Sequence, residues 1–209
     1  MIVSELNRGE PWRKGLISGS SVSPFKITWD NKWINIESDN LFSGGFDEQI
    51  IANPKILVRQ TGDRIIAALD HKGYYHLNNI HSFSDQKLKK KSLTVVPQGY
   101  YQDESEASLT FIVALMNSNL WRYLYRLKTR EDGMALAQID IETVEEMPLP
   151  VHNKELFDGI TELTGRLMKE RKRSVFISSD KFKNLYNCLN RLIYAAYELT
   201  DLEITHIEK

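Results

Sequence analysis

Arg59, Gln60, Thr61 and Arg64 crowd one short turn, VRQTGDRI, and a run of lysines follows it at Lys87, Lys89, Lys90 and Lys91. These side-chain types suit contact with duplex DNA. Lys and Arg release counterions from phosphates, whereas Arg, Gln and Thr can hydrogen-bond to base edges in the major groove. The turn residues are therefore the candidates for contacts near bases. The four lysines are candidates for phosphates, because an ammonium on a flexible stem acts as a point charge. Arg13, Lys14, Ser18 and Ser20 form a second loop of suitable composition, and nothing in the sequence shows whether it meets the first. Each set also has a plainer reading: Arg59 closing a strand through a salt bridge to Asp63, and the lysines forming a solvated loop.

Residues for bond-making chemistry are harder to find. The chain has no G-x-G-x-x-G and no G-x-x-x-x-G-K-[ST], so neither a dinucleotide nor a P-loop phosphate site is signalled. Gly44-Gly45 is a lone pair in a polar loop. His71, His76 and His81 are spaced by five, which on one strand points successive members to opposite faces and away from a shared metal. Glu170-Arg171-Lys172, with Asp158 upstream, matches the E-x-K of many nucleases, but it sits in a helical pattern rather than on a strand. Cys188 lies beside an apolar helical stripe and reads as a packed thiol. Binding is the better-supported activity, and catalysis is expected elsewhere.

The bulk properties agree with a binding role. Net charge is −1, yet Lys55 to Lys91 carries eight Lys/Arg against three Asp, and Glu131 to Ile160 carries eight Asp/Glu against Lys154 alone. Such asymmetry within a near-neutral chain suits one face for an anion and another for a different neighbour, or two solvated faces. The single cysteine excludes a disulfide framework and a thiolate metal cluster, and a reducing cytoplasm is the natural compartment. No apolar run approaches the ~20 residues needed to span a bilayer, so no membrane partner is expected.

The elements that would position the candidates form an α+β pattern. FKITWD and KWINIES alternate apolar and polar residues as short strands do. ILVR, IIAAL and YYHLNNIHSF, separated by TGDR and DHKG, read as a three-stranded meander in a small, mostly antiparallel β platform. A meander would bring HSFSDQKLKKK beside TGDR, clustering the turn residues with the lysines at one edge and leaving Lys72 at the other end. Asp103 and Glu106 suit a capping box. Leu109, Ile112, Val113 and Met116, continued by Leu120, Tyr123, Leu124 and Leu127, predict two helices joined at Asn117-Ser118. Beyond Pro150, Leu156, Ile160, Leu163 and Leu167, then Phe182, Leu185, Leu189, Leu192, Ala196 and Leu199, predict an antiparallel helical hairpin, with DLEITHIEK as a last short helix. Residues 1–150 thus form a β-rich domain with a two-helix insertion, and 151–209 a helical hairpin acting as spacer or docking element.

The order of these motifs resembles one known family. KGLISGSSVSPFKI, PKILVRQTGDRIIAALDHKGYYHLNNI, LTFIVALMNSNLWRYLYR, EEMPLP and RLIYAAYELTDLEITHIE together are similar to the TaqI-like C-terminal specificity domain of N6-adenine DNA methyltransferases and fused type IIG restriction-modification enzymes. The resemblance extends over nearly the whole chain. It implies a target recognition domain that forms one wall of a DNA cleft, while a separate domain binds S-adenosylmethionine and methylates an adenine flipped from the duplex. The family's catalytic Asn-Pro-Pro-Tyr/Phe motif is missing, since Asn53-Pro54 is followed by Lys55. The chain is therefore expected to have no catalytic residue and no cofactor of its own. Its expected partners are double-stranded DNA and a methyltransferase domain or subunit, and its abrupt start favours a piece of a longer polypeptide over a free subunit. The competing expectation, from a different functional class, is a protein-interaction module that assembles a complex through its helical hairpin.

Overall fold

A computed structural model describes residues 2–41, 46–84, 105–129, 138–151, 153–173 and 180–209. The fold is α+β. Strands β1 (Val3–Ser4), β2 (Trp12–Leu16) and β5 (Trp33–Asn35), joined by β8 (Tyr75–His76), make a four-stranded sheet in the order β1-β5-β2-β8. Its register pairs Arg13 with Ile34, and its one parallel contact pairs Leu16 with His76. Gly15 is required here by close approach, because a Cβ at that position would lie 2.3 Å from Ile34 Cγ1. Strands β3 (Val22–Ser23) and β4 (Lys26–Ile27) form a separate small hairpin.

The three-stranded sheet has the order β7-β6-β9, where β6 is Lys55–Arg59, β7 is Ala67–Asp70 and β9 is Ile80–Ser84. This corrects the meander, which would have put the middle segment in the centre. The reason lies in burial: Ile56, Leu57 and Val58 are consecutive and all fully buried, so both faces of β6 must be covered. The third apolar segment is split. Its first part, β8, joins the other sheet in parallel with β2, and only then does the chain return as β9. In consequence β9 runs antiparallel to β6, pairing Arg59 with Ile80 and Lys55 with Ser84. The strand leading to the lysine run therefore ends beside Lys55, at the opposite end of the sheet from the 60–64 turn. The expected clustering of Lys87, Lys89, Lys90 and Lys91 with Arg59 loses its topological basis; those lysines themselves, like Asp103 of the expected capping box, lie outside the described residues.

Lys55 faces the interior, not a ligand. Its side chain and that of Asp70 have no exposed surface, and Lys55 Nζ donates to Asp70 Oδ2 at 2.6 Å and to the Ile51 carbonyl at 3.2 Å. Asp70 Oδ1 accepts from the Lys72 amide at 2.8 Å, and Oδ2 from the Tyr74 amide at 2.9 Å. Gly73, at φ +66, supplies the left-handed residue that this turn needs. A helical turn, α1 (Glu48–Ala52), leads into β6 behind an Asp47 N-cap.

The remaining helices are α2 (Ser105–Met116), α3 (Asn119–Thr129), α4 (Ile141–Glu145), α5 (Lys154–Arg173), α6 (Asp180–Ala196) and α7 (Asp201–Ile207). The break at Asn117-Ser118 falls where expected: Ser118 Oγ accepts from the Trp121 amide at 3.1 Å as the cap of α3. Helix α2 differs from a one-sided stripe, being buried all round from Ser108 to Met116 between the three-stranded sheet and α5. On α3 Leu120 is buried and Leu124 packs against the core as expected, Trp121 and Tyr125 are buried beside them, and Leu127 is exposed. Helices α5 and α6 run antiparallel, since Gly159 meets Leu192 and Glu170 pairs with Lys181 at 2.8 Å. Glu170-Arg171-Lys172 is therefore helical, and Arg171 is buried with hydrogen bonds to Ser23 Oγ and the Pro24 carbonyl. Cys188 is exposed rather than packed. Thr200 and Glu203 form the capping box of α7. One apolar core runs from Ile56 and Val58 of β6 through α2 and α3 to α5 and α6.

Candidate nucleic-acid interface

At the end of β6 the backbone of Gln60 is held on both sides. Its amide donates to the Asn79 carbonyl at 3.0 Å, and its carbonyl accepts from the Ile139 amide at 2.6 Å. Thr61 then forms an isolated bridge with Gln138. Asn79 Nδ2 donates to the Ile17 carbonyl at 2.7 Å, which fastens the loop after β2 onto the same end. That loop turns through a 3-10 segment, Gly19–Ser21, capped by Ser18. A Cβ at Gly19 would lie 3.2 Å from Arg59 Cγ, so the two segments touch and Gly19 is what allows it. Ser18 and Ser20, joined by a hydroxyl contact of 2.7 Å, flank Gly19 in the chain, and Arg59 Nε reaches Thr61 Oγ1 at 3.5 Å. Among the described residues Arg59 has no carboxylate partner, Asp63 included.

The structure thus joins Arg59, Gln60, Thr61, Ser18 and Ser20, and it separates the other candidates. Arg13 and Lys14 belong to β2, not to a loop, and on extended backbone Arg13 is about 16 Å from Ser18. Both are already engaged. Arg13 pairs with Glu10 at 2.6 Å, a contact that raises its pKa, and Lys14 lies over the Trp29 ring at 5.0 Å. Arg64 leaves the far flank of the turn and lines a groove formed with Arg122 of α3 and Lys183 and Tyr186 of α6. Gln138, within the acidic stretch, lies beside Thr61, but the Asp140 carboxylate is used locally, accepting from the Glu142 and Thr143 amides as the cap of α4.

Sequence reading missed Gly19 and Asn79, whose roles depend on a contact between segments far apart in the chain. It also missed Arg122 and Lys183, which lie on helices read as core and spacer. The chemistry at the sheet end is that of directional hydrogen bonding. The segments that carry the Arg59, Gln60, Thr61, Ser18 and Ser20 side chains meet there, and among the described residues no group of three or more His, Cys, Asp or Glu could hold a metal.

His76 and His81 sit on different strands rather than on one, and burial lowers the pKa of each. Because both folded-state values are depressed, the unfolded chain binds these protons first as pH falls. Their contribution to stability is complete above the unfolded value of about 6.5 and is lost as pH falls toward the folded values. Thermal unfolding across that window is expected to show a shallower pH dependence in a His76→Gln/His81→Gln variant than in the wild type. Equal slopes would show that neither imidazole is held neutral by the fold.

The β platform is backed by helices and carries polar side chains at a half-exposed sheet end. The chain belongs to the TaqI-like C-terminal specificity domain family, whose model matches residues 14–149. The family's role is DNA recognition for methyltransferases and restriction enzymes. The match starts at Lys14 of KGLISGSSVSPFKI and ends one residue before Pro150, short of the helical hairpin over which the sequence resemblance was extended. Amphipathic stripes of the α5 and α6 kind recur in many folds, which makes them weak carriers of family likeness. No curated protein matches the chain. No helix among the described residues is long and apolar enough to cross a membrane.

Proposed function

We propose that this chain reads a DNA sequence for an N6-adenine methyltransferase or restriction-modification enzyme and presents the duplex to a separate methyltransferase domain or subunit. S-adenosylmethionine would be bound by that partner, in the cytoplasm. Arg59, Gln60 and Thr61, with Ser18 and Ser20 from the adjoining loop, are assigned to base edges. Lys87, Lys89, Lys90 and Lys91 are assigned to phosphates on charge alone. The observation that carries this reading is the packing of Gly19 against Arg59, which unites two polar segments at one half-exposed sheet end, where Arg59 has no carboxylate partner among the described residues. The Gln60 backbone is bonded on both sides, which gives the Gln60 and Arg59 side chains a fixed base from which to reach a base edge.

Selection from a random duplex library tests the assignment. Arg59→Ala and Gln60→Ala should each relax preference at one base position, losing ~1–3 kcal/mol of discrimination there. Equal weakening on all sequences would transfer those residues to phosphate contacts, and a wild-type chain that enriches no sequence would refute the reading.

A further inference from the structure

Arg64, on the flank of the turn away from Ser18, opens onto a groove of about 430 Å³. Arg122 and Lys183 share its lining, together with Asn117, Phe182 and Tyr186, and no carboxylate is among the described residues that line it. Arg64 and Lys183 are exposed. Arg122 Nε is buried and has no hydrogen-bond acceptor among the described residues. Three cationic side chains line the groove with no carboxylate among its described lining residues to neutralise them, so an anion suits it. The aromatic wall is held in place from several sides: Arg171 lies over the Phe182 ring at 5.8 Å, the Phe182 and Tyr186 rings stack at 6.1 Å, and Tyr186 Oη donates to the Asn117 carbonyl at 2.7 Å.

We propose that this groove holds a phosphate of the DNA backbone, with Arg64, Arg122 and Lys183 as its ligands. The inference rests on the DNA-recognition reading and adds a second contact class to it. Arg64 is on the same turn as Arg59, Gln60 and Thr61, so a strand whose bases meet one flank carries its sugar-phosphate past the other. The volume lies within the ~300–1,000 Å³ of ligand clefts and admits a sugar-phosphate unit rather than a bare ion. Its mixed lining fits that unit, with aromatic surface for the deoxyribose and cations for the phosphate. An acidic segment of a protein partner would use the cations but not the continuity with the turn.

The test is binding of the whole chain to duplex DNA over a salt series, with Arg64→Gln and Arg122→Gln/Lys183→Gln variants checked for folding by thermal unfolding. Each variant should lower the steepness of log K against log salt by about one unit, with base preference unchanged. A wild-type slope in both folded variants would overturn the phosphate assignment and leave the DNA-recognition reading standing. A loss confined to particular sequences would also overturn it, by moving these cations to base contacts. Absence of salt-sensitive binding by the wild type would overturn both. Arg64 is exposed, so its variant keeps the test decisive if the double variant fails to fold.

Discussion

Asp70→Ala is expected to lower the free energy of unfolding by about 3–5 kcal/mol, the cost of breaking a buried ion pair by removing one partner. The Asp70 carboxylate has no exposed surface and serves three donors at once: Lys55 Nζ at 2.6 Å and the amides of Lys72 and Tyr74. Its loss strands an ammonium inside the protein and leaves the turn that carries Gly73 without an anchor. Lys55→Met should cost less, because Asp70 keeps both amide donors and only the Nζ bonds to Asp70 and Ile51 disappear. Urea unfolding of the two variants measures the difference. If Asp70→Ala proves no worse than Lys55→Met, the two amide bonds contribute little and the pair alone anchors the turn.

That pair also explains what the sequence could and could not reveal. PKILV and LDHKGYY were visible as motifs of a strand and a turn, and the charged members looked like surface residues because Lys is almost never fully buried. Only the antiparallel register, which sets Lys55 opposite Asp70, shows that the two charges cancel inside the sheet. The order of strands was hidden for a related reason. Apolar runs report burial, not neighbours, and Tyr75–His76 leaves the sheet to pair with β2 through backbone bonds that no side-chain pattern encodes. The helices were more legible, since periodicity and caps are local. Even there, the all-round burial of α2 depends on having the sheet on one side and α5 on the other.

The site divides along the same line. Arg59, Gln60 and Thr61 were legible because they flank a turn in chain order. Ser18 and Ser20 were legible as candidates too, but the meeting of their loop with the turn was not, because it depends on Gly19 lying against Arg59 across a long stretch of sequence. Arg64 was grouped with the turn by proximity in the chain, yet its flank of the turn belongs to the groove shared with Arg122 and Lys183. Charges on opposite flanks of one turn look like a single cluster until the helices are in place.

Asn117→Ala is expected to cost about 2–4 kcal/mol, the sum of one stranded buried donor and the smaller net losses of two further hydrogen bonds. Ala67 lies on the outer edge of the sheet with its amide and carbonyl turned away from β6, and it is fully buried. Asn117 completes that edge as a strand would: Oδ1 accepts from the Ala67 amide at 3.1 Å, and Nδ2 donates to the Ala67 carbonyl at 2.9 Å and to the Val113 carbonyl at 2.8 Å. The Ala67 carbonyl keeps a second donor, the Phe25 amide at 3.0 Å, so its amide is the group left without a partner. Asn117→Asp preserves volume and the acceptor but aims a charged oxygen at two carbonyls, and it should be at least as damaging at neutral pH. Urea unfolding gives the magnitude, and hydrogen exchange at the Ala67 amide locates it. Unchanged protection of that amide in Asn117→Ala would mean that the sheet edge is closed by the apolar packing of α2 and not by this side chain.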